Sequence, residues 1–217
     1  MTSETVKEYG KAAGASVVGV ASFSAFGRAP DGFKPTDIME DCLSVVVLGA
    51  PSPREVLGDV AEYTASRNAM LSAMTDIAKK VEKQIKSAGH KAKAISASGG
   101  RTIDGKMWGH ISLKHAAELA GLGRIGRNYL LTNDTYGNLL WISAVLTDAD
   151  LVPDGLAQYS VCDNCNKCVE NCPSGALENL DAFGRKGCAQ FFRIVNKKLE
   201  IQCHLCRSIC PHRFGTA

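Results

Sequence analysis

Eight of the nine cysteines in this 217-residue chain fall between Cys162 and Cys210, leaving Cys42 alone upstream. Cys162, Cys165, Cys168 and Cys172, followed by Pro173, form the C-x2-C-x2-C-x3-C-P run of bacterial ferredoxins. Three thiolates at that spacing wrap three corners of a cubane, while the fourth, ahead of proline, is directed to another cluster. A partner group is present: Cys203, Cys206 and Cys210 with Pro211 repeat the tail of the pattern, and Cys188 completes four. The crossing rule then gives one [4Fe-4S] cluster to Cys162, Cys165, Cys168 and Cys210, and a second to Cys172, Cys188, Cys203 and Cys206. Zinc modules instead show two separated cysteine pairs, often with histidine, and His204 is surplus to eight thiolates.

A disulfide framework needs an oxidising compartment. The N-terminus carries early acidic residues and no apolar core of a secretory signal. No segment approaches the roughly 18 apolar residues of a membrane span. The expected location is therefore cytoplasmic, without membrane contact, where reduced thiols hold metal. At 45% hydrophobic and 22% charged residues, wholesale disorder and fibrous repeats are excluded. Eight thiolates and two oxidised cubane cores take the formal net charge from +3 to roughly −1. Nothing in that balance favours a nucleic-acid partner.

Upstream, Val6, Tyr9, Ala12 and Ala13 recur at helical spacing before Gly14, and a β-rich run starts at Ser16. Residues 23–41 read as a long loop and residues 43–50 as a buried strand. Met70, Met74, Ile77, Ala78, Val81 and Ile85 mark an amphipathic helix ending at Gly89, with the methionines in the core. A strand at Ala92–Ser96, a loop over 98–110, a helix from Ser112 to Ala120 and a strand over 138–147 follow. The expected organisation is an α+β core over residues 1–157 and a two-cluster module over residues 158–217. Cys42 reads as a small core residue.

Gly121, Gly123 and Gly126 spell GLGRIG, a formal match to the dinucleotide fingerprint. That fingerprint needs a strand entering the turn and a helix leaving it. Here a helical LKHAAELA enters and a short apolar NYLL leaves. Two readings stay open: the glycines let backbone approach another flat cofactor, or Gly121 caps the helix.

AGLGRIGRN over residues 120–128, Tyr136 and Gly137, the strand ending in Leu146, Thr147 and Asp148, and the double cysteine motif together resemble epoxyqueuosine reductases. Reductive dehalogenases are more distant members of that group. The resemblance covers residues 112–211 well and the first hundred loosely. It implies a nitroreductase-like α+β core holding base-off cobalamin, supplied with electrons by two [4Fe-4S] clusters, with flavin as the alternative cofactor. The cofactor-binding residues it implies are Gly121, Leu122, Gly123, Ile125, Gly126, Arg127, Asn128 and Tyr136. Arg127 stands where the family has lysine, and MWGHISLKH replaces the stretch that carries the family's acidic proton donor. Asp104 and His110 are the candidate catalytic acids or bases in the adjoining loop. Each also has a plain structural reading, Asp104 as a turn residue and His110 as a helix cap. The expected activity is an anaerobic reductive reaction on a small substrate rather than on tRNA, because the chain lacks the family's C-terminal helical-repeat extension. Electrons would come from a low-potential donor such as ferredoxin or flavodoxin. The alternative is an electron-transfer or cofactor-activating protein that serves a partner enzyme and has no substrate of its own.

Overall fold

The computed structural model describes residues 1–98, 100–103, 106–159, 162–178, 188, 190–195 and 198–215. They form two compact units. The first comprises Met1–Pro51, Met70–Gly123 and Trp141–Gln158; the second comprises Ser52–Ala69, Arg124–Leu140 and Tyr159–Ala217.

The first unit is built on a four-stranded sheet in the order β1 (Val17–Ser22), β2 (Ser44–Pro51), β8 (Leu140–Thr147), β3 (Ala92–Ile95). β1 pairs antiparallel with β2, Val20 opposite Val46, and β3 pairs antiparallel with β8, Ala94 opposite Val145. β2 is buried along nearly its whole length, as its unbroken SVVVLGA composition requires of a central strand covered on both faces. Helix α1 (Ser3–Ala13) starts at the Thr2 side chain, which accepts from the Thr5 N–H, and stops at Gly14 in the left-handed region. Val6, Val20, Val46, Leu48, Met74, Ala78, Val81, Ile85 and Val145 make the core. Fully burying each Val, Leu, Ile or Met side chain stabilises by roughly 1.5–3 kcal/mol. Met74 lies in that core, Trp141 packs against it, and Cys42 is 1% exposed.

Helix α2 (Val60–Ser87) begins ten residues before the first of its core methionines. Its start is fixed by Asp59, whose carboxylate accepts the N–H groups of Ala61 and Glu62. The apolar stripe from Met70 marks only the part that faces the first unit's core. The segment expected as a loop over 98–110 contains a hairpin, β4 (Arg101–Ile103) against β5 (Lys106–Trp108). Phe33 packs against Trp108 at 5.6 Å between ring centroids. Helix α3 (Leu113–Leu119) has Ser112 at its N-cap, so His110 is not the cap. β1 reaches the end of α3 because Gly19 has no side chain; a Cβ there would overlap the Ala120 carbonyl oxygen. Asp154 ties down the unit's last segment, accepting from the Val20 N–H at 2.8 Å and from Lys7 Nζ at 2.6 Å.

The second unit contains the pairs β6 (Arg124–Ile125) with β7 (Leu131–Thr132) and β9 (Phe192–Val195) with β10 (Lys198–Ile201). It also holds two single-turn helices, α4 (Lys167–Glu170) and α5 (Leu205–Ser208), which pack on one another. Among the described residues, no helix is long and apolar enough to cross a membrane.

Candidate metal centre

The two cysteine runs of the second unit fold by the same local plan. Cys165 N–H donates to Cys162 O at 3.2 Å, with Asn164 in the left-handed region, and the turn delivers Cys168 on α4. In the second run Cys203 and His204 precede α5, which carries Cys206, and Cys210 follows it. One helical turn thus presents a thiol inward while the flanking cysteines sit on either side.

The thiols sort by their mutual electrostatics. Burial, and then Cys162, Cys210 and Cys165 in turn, push the Cys168 thiol up. Cys210 is also pushed up, first by burial and then by Cys162 and Cys165, against hydrogen bonds from the His212 backbone and the Asn138 side chain. Cys206 is pushed up to about 12, chiefly by burial, with Cys188, Cys203 and Cys168 adding and Arg207 opposing. Cys210 thus feels Cys162 and Cys165 and is felt by Cys168, while Cys206 feels Cys188, Cys203 and, less strongly, Cys168. Cys172 behaves differently: burial opposes it, but hydrogen bonds from Ser174 and from the Leu177 and Ala176 backbone hold its thiol below the ordinary range.

Half-buried cysteines whose thiolates would repel one another are a donor set that a cationic iron core relieves by replacing their protons. Among the described residues, no three His, Cys, Asp or Glu side chains form a single-ion site. A cubane makes a different demand, since each thiolate caps its own iron. The donor chemistry fits two such clusters.

The glycine turn divides between the units. Gly121, Leu122 and Gly123 belong to the first: Gly121, at φ +73°, closes α3 with its N–H on Glu118 O, and Leu122 is buried with its N–H on Ala117 O. Ile125, Gly126, Arg127, Asn128 and Tyr136 belong to the second. There the Arg127 N–H donates to Cys162 Sγ at 3.3 Å, and its side chain hydrogen-bonds Asn166. Asn128, buried, donates from Nδ2 to Cys206 O at 3.1 Å and accepts from the Leu130 N–H. Tyr136 is half-buried at a hairpin tip, its N–H on Asn133 Oδ1. Residues 126–128 thus serve both cysteine runs at once. His110 is half-buried beside α3, and Asp104 lies outside the described residues.

Several supporting residues carry no motif. Tyr63 and Thr64 come from the first turns of α2, where Thr64 Oγ1 donates to Ile201 O and accepts the Ile201 N–H. Tyr63 stacks on His204 at 4.6 Å, and His204 Nε2 lies 3.1 Å from Leu57 O. Asn138, fully buried, donates to Arg207 O. Their signal is one of type: an uncharged or aromatic residue in a polar helix turn, and an arginine directly after a cluster cysteine.

Solved proteins share this mixed α/β fold. The chain is similar over its length to a selenomethionine-labelled epoxyqueuosine reductase (TM-score 0.70, 20% identity, 98% of this chain and 66% of that one). It is also similar to a catabolic reductive dehalogenase (TM-score 0.68, 19% identity, 97% and 31%). In sequence it is 28% identical over 118 residues to epoxyqueuosine reductase of Bacillus subtilis and 30% identical over 118 residues to that of Listeria monocytogenes. Each match takes in 49% of this chain but only 30% and 31% of those relatives, so the chain covers about a third of their length. No protein-family model matches. The resemblance drawn from AGLGRIGRN and the double cysteine motif is borne out. One similar structure is an epoxyqueuosine reductase with an epoxyqueuosine-modified tRNA stem loop (TM-score 0.58, 21% identity, 81% and 52%).

Proposed function

We propose that this protein is an iron–sulfur reductase that passes single electrons from two [4Fe-4S] clusters to a bound cobalamin for a reductive reaction on a small substrate. The first cluster takes Cys162, Cys165, Cys168 and Cys210; the second takes Cys172, Cys188, Cys203 and Cys206. The observation that carries this reading is the convergence of both cysteine runs on one turn, where the Arg127 N–H donates to Cys162 Sγ at 3.3 Å and Asn128 Nδ2 donates to Cys206 O at 3.1 Å. In this reading the last cysteine of each run is exchanged between the clusters, as in two-cluster ferredoxins. A solved reductive dehalogenase of similar fold is linked to B12-dependent dehalogenation. Cobalamin supplies the bond-breaking chemistry when bound; flavin is the alternative.

This chain's own part is to hold and insulate. The Arg127 N–H and the Asn128 amide fix the two cysteine runs against one turn, and Cys168 is buried. In this reading the α+β core is nitroreductase-like, and Gly121, Leu122, Gly123, Ile125, Gly126, Arg127, Asn128 and Tyr136 are the residues that contact the organic cofactor. Asp104 or His110 delivers the proton, and ferredoxin or flavodoxin delivers the electrons.

Anaerobic purification followed by absorption spectroscopy with added cobalamin or flavin tests the proposal. Stoichiometric uptake of either, on top of cluster absorption, is the expected result. Cluster absorption with no uptake of either overturns it in favour of a carrier that serves a partner enzyme.

A further inference from the structure

The two cysteine groups face different cations. Arg207 directly follows Cys206 and is 7% exposed. Its guanidinium lies 5.8 Å from the centroid of the Tyr63 ring, which is itself 7% exposed. That ring is held in turn by stacking on His204. The backbone of Arg207 is pinned at both ends, its N–H on His204 O at 2.9 Å and its carbonyl accepting from Asn138 Nδ2 at 3.1 Å. The cation is thus fixed in a water-poor setting beside the second cysteine group. The first group's arginines are more open: Arg127 offers a backbone N–H to Cys162 but is exposed, and Arg213, whose guanidinium donates to Cys210 O at 3.3 Å, is only half-buried, so water and salt screen both charges more than that of Arg207.

We propose that Arg207 is a positioning residue that raises the reduction potential of the second cluster above that of the first, so that the first electron to enter rests on the Cys172, Cys188, Cys203 and Cys206 site. This rests on the two-cluster reading. Adding one electron to a cluster adds one negative charge, and a fixed cation in a low dielectric stabilises that charge far more than a solvated one does. Cluster potentials respond to net charge, hydrogen bonding and exposure. A separation in potential gives two otherwise similar clusters an order of filling.

The test is an anaerobic titration of the holoprotein with dithionite, which supplies one electron per cluster, followed by paramagnetic resonance. Wild type should show two one-electron steps, and Cys188→Ser, by losing the second cluster, identifies which step is which. Arg207→Met should move the second cluster's step to lower potential and leave the other in place, while Arg207→Lys, which keeps a cation, stays near wild type. If Arg207→Met assembles only one cluster, Arg207→Gln against Arg207→Lys carries the same comparison. Equal second-cluster potentials in the neutral and cationic variants, or an equal shift of both steps, overturn the proposal. Wild-type protein with well under about eight irons per chain would instead overturn the cluster reading on which it rests.

Discussion

The backbone N–H of Arg127 donates to Cys162 Sγ across 3.3 Å, binding a turn to a cysteine 35 residues further along the chain. The neighbouring Gly126 leaves room for this and little more, since a Cβ there would sit 3.2 Å from the same sulfur and 3.1 Å from Asn128 Oδ1. Gly126→Val should therefore cost the first cluster, lowering iron from about eight to about four per chain. Iron and sulfide counting on anaerobic material checks this, and a full complement in the variant would remove the turn from the cluster's environment.

By the crossing rule, Pro173 directs Cys172 away from its own run. Cys172→Ala should abolish the second cluster's signal and spare that of Cys162, Cys165, Cys168 and Cys210. Paramagnetic resonance of the reduced variant decides it; loss of the first signal alone would mean that the ligands do not cross.

Cys42 lies in the first unit's core, with its thiol on Ser44 O at 3.4 Å. Burial pushes it from an ordinary 9.0 up to about 11. Because the folded value is the higher one, its contribution is fully present below about pH 9 and is lost as pH rises towards 11. The loss amounts to about 3 kcal/mol relative to a Cys42→Ala protein. Denaturation of both proteins between pH 8 and 11 should show the two stabilities converging as pH rises. Parallel curves would refute the assignment.

At Gly19 the strand β1 touches the backbone that ends α3. Gly19→Ala should destabilise by about 1–3 kcal/mol through overpacking, without any change in the cysteines' metal content. Chemical denaturation with parallel iron analysis is the check, and an unaltered midpoint would show that the contact relaxes freely.

The strands and the core of α2 were legible because their patterns are local. SVVVLGA has no polar break, and Met74, Ala78, Val81 and Ile85 keep one helix face. The cysteine spacing was legible for the same reason. Two features were not. Residues 60–69 carry no apolar stripe, so the early start of α2 rests on a single carboxylate, Asp59, and the work of Tyr63 and Thr64 depends on partners some 140 positions away. The hairpin over Arg101–Trp108 was hidden by glycine and polar residues that signal a turn as readily as a loop.

Thr64 and Ile201 exchange two hydrogen bonds across 137 positions, and Asn128 and Asn138 reach Cys206 and Arg207 across 78 and 69. The scaffolding that the cysteine runs lean on precedes them in the chain, so it is synthesised before Cys210 emerges. An excised tail beginning at residue 158 would leave that scaffolding behind, and grafting it onto another protein as an electron wire should yield a colourless, unfolded peptide.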